Sequence, residues 1–431
     1  MGDADFDFDA HLASTAADYV ALLEPGAELL PGAREMIRET LGRYPSQLAY
    51  GDSVVDAGGL SQVVRRPIFS PLRLREQHYL GPLTIVQVEW LRRSAGELPL
   101  PHHDQGYAVA LRCAEVALHI PQPLSVIRSG QFERDGSEWV QRELAADGIA
   151  ASVEPRPDGT RRVRYPVQGS PLVSIIIPTR GTSGSVAGRE STFVVDAVRS
   201  IADRSTWQNL EFVVVADDAT PQKVIEELIA VAGEKLRLVR WSKHFDFSAK
   251  INRGAAFAAG EYLLLLNDDV ELVSPDWIET MVGLAQQTGV GLVGALLLFE
   301  DGTVQHGGHL YRQSWAGHIA PGWNRADDDL LASLRVTREV SGVTAACALV
   351  SAQNFERVGG LSREFPGNYN DVDFSLKVRS LGLSAIWSPD AVLHHYESKS
   401  RDAEILPHEI AALRRRWGSR LLLDPYWTDE R

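Results

Sequence analysis

Acidic residues form two groups in the second half of the chain, and both could take part in chemistry. The first group, Asn267-Asp268-Asp269, follows the apolar run Tyr262-Leu-Leu-Leu-Leu. A strand there would place two carboxylates at the carboxyl end of a parallel sheet, where open α/β folds bind ligands. Adjacent carboxylates repel each other unless a cation is present, and oxygen ligands select Mg²⁺ or Mn²⁺. The alternative is a turn in which an aspartate caps the next helix.

The second acidic group, Asn370-Asp371-Val-Asp373, precedes the amphipathic stretch Phe374-Ser-Leu-Lys-Val-Arg. One carboxylate could cap a helix here while the other faces a cleft and acts as a base. Capping alone would explain this motif in isolation. Taken together, one acidic pair suited to a metal ion and one suited to a base indicate metal-assisted group transfer.

A third polar segment, His394-His395-Tyr-Glu-Ser-Lys-Ser-Arg401, combines imidazoles, hydroxyls, a carboxylate and two cations. This mixture suits a metal ligand and the binding of a diphosphate, and a solvated polar tail is the alternative. Zinc is disfavoured because no cysteine or HExxH pattern accompanies these histidines. The glycines between Gly181 and Gly188 fit neither GxGxxG nor GxxxxGK[ST], so we predict a flexible connector there.

Apolar runs and helical stretches predict the elements that position these residues. Leu172-Val-Ser-Ile-Ile-Ile-Pro and Leu210-Glu-Phe-Val-Val-Val-Ala read as strands separated by a helix. Continuous apolar strands are typical of a parallel sheet covered on both faces. Turn-forming and charged residues cluster between 152 and 171, which indicates a boundary. The predicted parts are a first domain at 1–151, a linker at 152–170, an α/β domain at 171–405, and a basic amphipathic helix with a tail at 406–431.

The first domain resembles a partial, altered copy of the second. Residues Asp18–Leu29 align without gaps on Glu261–Leu272, and Ile85–Gly96 align on Leu349–Gly360. The register persists over this distance, so chance is a poor explanation. The first copy begins where the second is already on its third strand, and it therefore lacks the half that would bind a nucleotide.

Differences between the copies indicate which one carries chemistry. Asn267-Asp268-Asp269 corresponds to Glu24-Pro25-Gly26 in the first copy. Asp371 retains a counterpart, Asp104, but Asp373 corresponds to Gly106. The second copy also carries an insert between Gln305 and Glu339, which is rich in histidine and tryptophan. We therefore assign the chemistry to the second copy.

Composition and charge exclude several classes of function. The 431 residues include 57 acidic and 43 basic side chains, and the formal charge of −14 repels nucleic acid. Cys113 and Cys347 are far apart and form no CxxC motif, which fits buried thiols in a reducing compartment. The acidic amino terminus is unlike a signal peptide, and no apolar run approaches ~18 residues. We expect a cytoplasmic protein, with the inner face of the membrane as an alternative, and no nucleic-acid partner.

Taken in order, these motifs resemble those of family 2 glycosyltransferases with the GT-A fold. The resemblance covers about 171–401, and the pattern is similar to bacterial enzymes of O-antigen, rhamnan and other surface-polysaccharide assembly. It implies an α/β fold class in which a GT-A (Rossmann-like nucleotide-diphospho-sugar transferase) domain follows a smaller, degenerate GT-A-like domain. The motifs are Val173–Arg180, Asp217-Asp218, Phe247–Asn252, Asn267–Asp269, Gly342–Cys347, Asn370–Asp373 and His395–Arg401.

The resemblance also implies a role for each matching residue. Asp371 would be the catalytic base, and Asp269 and His395 would hold Mg²⁺ or Mn²⁺. Ala216 stands at a position where the family usually has an acidic residue, so the identity of the nucleotide base is left open. A dTDP- or UDP-sugar donor is expected from the resemblance to the family alone. The donor would be bound by Pro178, Thr179, Arg180, Asp217, Asp218, Lys250 and Asp268.

Acceptor-binding residues are expected in the insert and near the base. Trp315 and His318 lie in the insert, whose aromatic content suggests a flap that stacks on a sugar. An ordered loop that packs its tryptophans is the alternative. Thr344 and Asp373 complete the predicted acceptor residues, and the acceptor would be a glycan or a lipid-linked glycan. The basic helix after His408 either caps the domain or makes peripheral contact with an anionic membrane.

The sequence therefore predicts an enzyme, an inverting, metal-dependent glycosyltransferase that moves a sugar from a nucleotide-diphosphate sugar to a hydroxyl of a growing bacterial surface glycan. A non-catalytic pseudo-glycosyltransferase that binds a glycan or a partner is one alternative, because the first copy has already lost its acids. A sugar nucleotidyltransferase is another, although Arg180 and Arg189 in a loose loop match a triphosphate loop poorly.

Overall fold

The structure, a computed structural model, forms two compact units. Unit 1 comprises 1–164, 329–336 and 425–431, and unit 2 comprises 165–328 and 337–424. Cys113, Asp104 and the end of the polar segment at Arg401 lie outside the described residues. The residues that the structure describes are 12, 14–57, 59–94, 105–112, 116–128, 136–186, 188–327, 331–396, 405 and 407–428.

Unit 1 combines a mixed sheet with short helices. Its described strands are β1 (Tyr19–Leu23), β2 (Glu28–Leu29), β3 (Leu48–Ala57), β4 (Leu60–Val64), β5 (Leu83–Gln87), β6 (Leu118–Arg128), β7 (Ser152–Pro155) and β8 (Arg161–Arg164). Its described helices are α1 (Ala33–Arg43), α2 (Pro71–Glu76), α3 (Val88–Ser94), α4 (Gln105–Arg112) and α5 (Ser137–Ala146). A separate hairpin is formed by β7 and β8.

Unit 2 is a larger α/β unit. Its described strands are β9 (Val173–Thr179), β10 (Ser183–Val186), β11 (Arg189–Thr192), β12 (Leu210–Asp217), β13 (Leu236–Trp241), β14 (Tyr262–Leu266), β15 (Val270–Leu272), β16 (Val290–Leu298), β17 (Val304–His306), β18 (His309–Arg312), β19 (Trp315–His318), β20 (Arg338–Val340), β21 (Cys347–Ser351) and β22 (Ser384–His395). Its described helices are α6 (Phe193–Arg204), α7 (Gln222–Ala232), α8 (Phe247–Ala255), α9 (Trp277–Ala285), α10 (Ala352–Arg357), α11 (Asn370–Arg379) and α12 (Pro407–Trp417).

The main sheet of unit 2 has the strand order β13-β12-β9-β14-β21-β16-β22-β15, with β17 paired to β16 and β20 to β22. The first four strands of this order are parallel to one another. Every residue of β9 and β16 is buried, which explains why both read as unbroken apolar runs. Because β9, β12 and β14 are parallel, Thr179, Asp217 and Leu266 end their strands at one edge of the sheet.

The sheet of unit 1 repeats half of the sheet of unit 2. Its order β1-β5-β3-β6-β2, with β4 paired to β3, matches β14-β21-β16-β22-β15 with β17 paired to β16. The direction of pairing agrees along both paths. The register agrees as well, since Ala21 pairs with Ile85 where Leu264 pairs with Leu349. Among the described residues, unit 1 has no counterpart of β9, β12 and β13, so the predicted partial repeat is confirmed.

Two segments that we predicted to be irregular contain hairpins. The expected linker 152–170 includes β7 and β8, which pair as a hairpin with one buried arginine. This residue, Arg161, is fully buried and donates to the Tyr107 hydroxyl at 2.8 Å. The glycine-rich stretch after β9, expected to be a flexible connector, forms the hairpin β10–β11. In both cases turn-forming residues join two paired strands rather than an open loop.

A short segment that lies between β19 and β20 in sequence belongs to unit 1. Leu331, Leu334 and Val336 are buried there. The fully buried Arg73 donates to the Leu331 carbonyl at 2.7 Å and to the Ser333 hydroxyl at 3.1 Å. Unit 1 is therefore assembled from stretches of chain that are far apart in sequence.

Candidate active site

A cavity of about 680 Å³ opens in unit 2 at the carboxyl ends of β9 and β14. The amino-terminal end of α11 and the β18–β19 hairpin form its other walls. Asp217, Asp218 and Asp373, although described, do not line it. The predicted residues that line it are Pro178, Thr179, Arg180, Lys250, Asp268, Asp269, Trp315, His318, Thr344, Asp371 and His395.

Lys250 forms hydrogen bonds to the ends of β9 and β12 on one side of the cavity. Its Nζ donates to the Thr179 carbonyl at 2.9 Å and to Asp217 Oδ1 at 2.7 Å. Burial lowers the pKa of Lys250, and the contact with Asp217 offsets part of this effect. Arg180 Nε lies 3.8 Å from the same Asp217 carboxylate. Asp217 thus contacts two cationic residues that line the cavity, Lys250 and Arg180. Asp218 is exposed to solvent.

Helix α8 holds Lys250 in place because of two local features of the sequence. Asp246 caps the helix by accepting from the Ala249 amide at 2.8 Å. A Cβ at Gly254 would overlap Ile176 on β9, so the glycine allows close packing of helix and sheet. Lys250 then lies on the helix face that meets the strand ends, with 1 % of its surface exposed.

The adjacent carboxylates Asp268 and Asp269 follow β14 and have different surroundings. Asp268 Oδ2 accepts from the Thr179 hydroxyl at 2.6 Å. Burial and the neighbouring Asp269 raise the pKa of Asp268 to about 7, although Thr179 and Lys250 act in the opposite direction. Asp269 Oδ1 is buried and has no hydrogen-bond partner among the described residues. A buried carboxylate oxygen without a partner is costly unless a cation meets it.

His395, at the end of β22, faces Asp269. Its Nε2 lies 3.2 Å from Asp269 Oδ1, and the Asn267 side-chain amide lies 3.0 Å from the same nitrogen. On the other side of the ring, Nδ1 lies 2.7 Å from Gln305 Oε1, and the Gln305 amide contacts the His395 carbonyl at 3.3 Å. Donation from Nδ1 to Gln305 leaves a lone pair on Nε2, which accepts from the Asn267 amide here and is the atom that metal-binding histidines present to the ion. Our sequence reasoning gave Gln305 no role, because a neutral side chain outside every motif carries no signal.

These contacts fit a divalent cation held by Asp269 and His395. The unpartnered carboxylate oxygen and the imidazole lone pair lie on facing side chains. Among the described residues, no group of three or more His, Cys, Asp or Glu side chains is arranged to hold a metal ion. Mg²⁺ and similar ions are commonly held by one or two protein ligands together with substrate phosphates and water. The residues present therefore suit a cation that arrives with a diphosphate.

Asp371 lies in the first turn of α11 on the opposite wall. Its Oδ1 accepts from the Val372 amide at 2.8 Å, and its Oδ2 lies 3.6 Å from His309 Nε2. Burial alone would raise the pKa of Asp371, but His309, His318 and Thr344 outweigh this effect and hold the pKa well below its usual range. The carboxylate is therefore ionised and able to accept a proton at neutral pH.

The β18–β19 hairpin of the insert contributes Trp315 and His318 to the cavity. The Trp315 ring lies over Gly317, where a Cβ would overlap it, and half of the Trp315 surface is exposed. This arrangement presents a flat ring at the cavity wall. The insert thus contributes to the cavity wall, and an acceptor role for these residues remains a proposal.

Asp373 lies outside the cavity, which argues against the acceptor role that we predicted for it. It is fully buried, and its Oδ1 accepts from Trp417 Nε1 at 2.8 Å and lies 3.2 Å from Arg416. Lys377 lies 3.7 Å from its other oxygen. Helix geometry explains the difference: at about 100° per residue, Asp371 and Asp373 are about 200° apart on α11 and cannot share one face.

Helix α12 buries its apolar side inside unit 2. Ala412 and Leu413 pack in a cluster with Tyr311 and Phe365, and the partly buried Trp417 joins them. The apolar face that a membrane surface would require is therefore already covered, which favours capping of the domain. Within the described part of the chain, no helix combines the length and apolar character that crossing a bilayer requires.

Comparison with known proteins identifies the domain. Residues 174–359 match Glycosyl transferase family 2. The chain contains a family 2 glycosyltransferase domain. Apart from 329–336, the matched residues lie in unit 2, and they include the β9, Lys250 and Asp268–Asp269 parts of the cavity. Together with the strand order and the internal repeat, it confirms the predicted fold class, an α/β GT-A domain preceded by a smaller, degenerate copy.

Two curated relatives extend the likeness to nearly the whole chain. The uncharacterized protein y4gI of Sinorhizobium fredii (strain NBRC 101917 / NGR234) is 30% identical over 444 residues, which cover 94% of this chain and 48% of that protein. The O-antigen biosynthesis protein RfbC of Myxococcus xanthus is 30% identical over 421 residues, which cover 92% of this chain and 32% of that protein. The chain thus spans half or less of the length of these relatives.

Two solved structures resemble part of the chain. GalNAc-T7 with UDP, GalNAc and Mn²⁺ is 13% identical with a TM-score of 0.48, covering 59% of this chain and 49% of that chain. The mannosyltransferase PcManGT from Pyrobaculum calidifontis, in complex with GDP-Man and Mn²⁺, is 16% identical with a TM-score of 0.40, covering 59% of this chain and 71% of that chain.

Proposed function

We propose that unit 2 is an inverting, divalent-metal-dependent glycosyltransferase that moves a sugar from a nucleotide-diphosphate sugar to a hydroxyl of a bacterial surface glycan. One observation carries this proposal: the facing pair Asp269 and His395 and the ionised Asp371 line the same cavity. A metal-suited pair on one wall and a base on the other are what transfer from a diphosphate to a hydroxyl requires.

The donor nucleotide occupies the side of the cavity formed by the strand ends. Pro178, Thr179 and Arg180 end β9 there, and Lys250 connects Thr179 to Asp217. The amide, carbonyl and charged groups at such an edge are the usual contacts of a nucleotide in α/β folds. Asp268 lines the same side of the cavity, and its hydrogen bond with Thr179 fixes the strand end beside the metal pair.

Asp269 and His395 would hold Mg²⁺ or Mn²⁺ in this cavity. When bound, the cation supplies Lewis-acid stabilisation of the charge that develops on the leaving nucleoside diphosphate. Gln305 keeps the His395 ring oriented with Nε2 toward Asp269. Asp269 contributes the charge that offsets the cation inside a buried site.

Asp371 removes the proton from the acceptor hydroxyl as that oxygen attacks the sugar. Its low pKa keeps the carboxylate in the required form. A single displacement with one base needs no covalent intermediate and inverts the anomeric carbon. The β18–β19 hairpin lies beside Asp371 and supplies the acceptor platform, with Trp315 stacking on a sugar face.

The likeness to a protein named for O-antigen biosynthesis supports a surface glycan as the acceptor. The nucleotide base and the sugar depend on pocket shape, and we propose a dTDP- or UDP-sugar by family resemblance alone. We propose a non-catalytic role for unit 1, because Gly26 and Ile127 occupy the places of Asp269 and His395 in its sheet.

Thermal melting with nucleotides tests the proposed function. We would measure the melting temperature with dTDP, UDP, GDP or CDP, each with Mn²⁺, Mg²⁺ or EDTA. Ligand at a hundredfold excess over its dissociation constant stabilises a protein by roughly 2.7 kcal/mol. We expect one diphosphate to raise the melting temperature only with a metal ion, in the wild type but not in Asp269→Ala.

Asp218→Ala is the matched control, because Asp218 is an exposed acid near the same strand ends that does not line the cavity. It should retain the metal-dependent shift. If no nucleoside diphosphate stabilises the wild type under any condition, the transferase proposal is wrong, and the pseudo-glycosyltransferase alternative takes its place.

A further inference from the structure

Three histidines of unit 2 lie together behind the acceptor side of the cavity. His306 ends β17, His309 begins β18, and His318 ends β19. Their ring centroids are 4.7 to 5.8 Å apart. His306 and His309 are buried, and His309 and His318 line the cavity. The group is not arranged as a metal site within the described residues, so its hydrogen bonds need another explanation.

The chain of hydrogen bonds through these histidines begins at the backbone amide of Thr344. The Thr344 N–H donates to His306 Nε2 at 3.2 Å. Because a backbone amide can only donate, His306 Nε2 must carry a lone pair. Burial, together with His318 and His309, lowers the pKa of His306 well below its usual value, so the ring is neutral. The single ring hydrogen of His306 is therefore on Nδ1.

His318 is the next group in the chain of hydrogen bonds. His306 Nδ1 lies 2.7 Å from His318 Nδ1, so His306 donates and His318 accepts. Burial lowers the pKa of His318 to about 4, and it too is neutral near pH 7. Its single ring hydrogen must then be on Nε2. This nitrogen has no hydrogen-bond partner among the described residues, and His318 lines the cavity close to Asp371.

We propose that His306 is a positioning residue that holds His318 in the Nε2–H form, so that His318 donates a hydrogen bond to an oxygen of the acceptor sugar beside Asp371. The proposal rests on the proposed function and deepens it, because it names the chemistry that recognises the acceptor. Trp315 on the same hairpin would contact a sugar face, and His318 would contact a hydroxyl at its edge. A donor at this place selects sugars that carry an oxygen there.

The ring hydrogens can be observed directly. In the full chain labelled with ¹⁵N-histidine, long-range ¹H–¹⁵N spectra distinguish the two neutral forms of each ring. We expect the Nδ1–H form for His306 and the Nε2–H form for His318 at pH 7, with assignments from His306→Phe and His318→Phe. An Nδ1–H form of His318 would overturn the proposal. This readout needs no substrate, so it is separate from a failure of the proposed function, which would show as absent nucleotide binding.

Kinetics test whether the hydrogen serves the acceptor. His306→Phe removes the donor to His318, whereas His306→Asn retains an N–H near the position of Nδ1. We expect roughly a tenfold increase in the acceptor KM for His306→Phe, an unchanged donor KM, and a value near wild type for His306→Asn. A change in the donor KM instead would overturn the assignment to the acceptor.

A second pair of variants covers the case in which His306→Phe does not fold. His318→Gln can present an N–H close to the position of Nε2, whereas His318→Phe cannot. We expect His318→Gln to keep most of the acceptor affinity and His318→Phe to lose it, with equal melting temperatures. Equal acceptor KM values for the two variants would overturn the proposal.

Discussion

Individual side chains in the cavity show how surroundings decide the chemistry of identical groups. Asp268 is buried and Asp371 is partly buried, yet the pKa of Asp268 is raised and that of Asp371 is lowered. Burial and then a neighbouring carboxylate raise the pKa of the first, whereas histidines and a hydroxyl lower the pKa of the second. Two carboxyl groups with opposite shifts in one site are typical of groups with different tasks.

Replacing Asp371 by asparagine should abolish transfer while leaving nucleotide binding intact. The amide keeps the size of the side chain and an oxygen for the Val372 amide, but it cannot accept a proton. General-base catalysis typically contributes ~10²–10⁴-fold to a rate, so kcat should fall by about that factor. The measurement is sugar transfer under donor saturation, beside the metal-dependent melting shift.

Asp218→Asn serves as the control and should transfer at the wild-type rate. Asp371→Asn with undiminished kcat would mean that another group removes the proton.

The pH dependence of transfer should report the contacts of Asp371. A base loses activity as pH falls through its pKa, and the pKa of Asp371 lies below its usual value of ~3.9. The wild type should therefore show no loss from this group between pH 8 and pH 5. In His309→Phe, only His318 and Thr344 still oppose the effect of burial on the pKa of Asp371, so the activity loss should move upward into this range.

His309→Gln is the matched variant for this experiment, because its side-chain amide can replace the Nε2–H near Asp371. Its profile should stay close to that of the wild type. Identical profiles for His309→Phe and the wild type would show that His309 does not set the pKa of the base.

Secondary-structure elements explain how the insert forms a wall of the cavity. The β18–β19 hairpin is four residue pairs long, and Trp315 folds back over Gly317 at its turn. Leucine or valine at positions 315 and 317 would allow the same strand pairing but would present no flat ring to the cavity. The element therefore combines ordinary strand pairing with one glycine that makes room for a ring.

Substitutions at Trp315 and Gly317 should both weaken acceptor binding. Trp315→Ala removes the ring, and Gly317→Ala displaces it, because a Cβ would overlap the ring. We expect a several-fold increase in the acceptor KM for each, with the donor KM unchanged. Ser314→Ala, next to the same turn, is the control, and steady-state kinetics with varied acceptor is the measurement. Unchanged acceptor KM and turnover in Trp315→Ala would exclude the platform.

The contact between α11 and α12 makes a prediction about stability rather than catalysis. Asp373 is buried between Trp417, Arg416 and Lys377. Asp373→Ala leaves the Trp417 indole N–H without its acceptor and removes the carboxylate beside two cations, which typically costs about 1–3 kcal/mol. A domain of this size should lose roughly 2–4 °C in melting temperature for each kcal/mol.

Asp327→Ala, at an exposed acid of unit 2, is the comparison and should melt like the wild type. A normal melting temperature for Asp373→Ala, with impaired acceptor binding, would restore the acceptor role that the sequence suggested.

At the scale of the whole molecule, the sequence predicted the strands that have an apolar pattern and the polar residues that line the cavity. Apolar runs predicted β9, β12 and β14, and the alignment of Asp18–Leu29 with Glu261–Leu272 predicted the repeated sheet. Most of the predicted site residues line one cavity because strand ends and helix starts converge there.

What the sequence did not predict depends on contacts between distant positions. The role of Gln305 follows from its contact with His395, and that of His306 from its contacts with Thr344 and His318. No local sequence pattern marks such pairs. The placement of Asp373 away from the cavity likewise depends on which face of α11 meets α12. The boundaries of the units differ for the same reason, because 329–336 packs with residues that precede it by more than 160 positions.

That discontinuity also sets an order of events during synthesis. The ribosome delivers residues 1–164 first, but Arg73 cannot donate to the Leu331 carbonyl until most of the insert has been made. The Ile68 amide must wait still longer, because its acceptor is the Pro425 carbonyl at 3.0 Å. The amino-terminal unit is thus translated first, but its internal contacts can be completed only after the glycosyltransferase domain has left the exit tunnel.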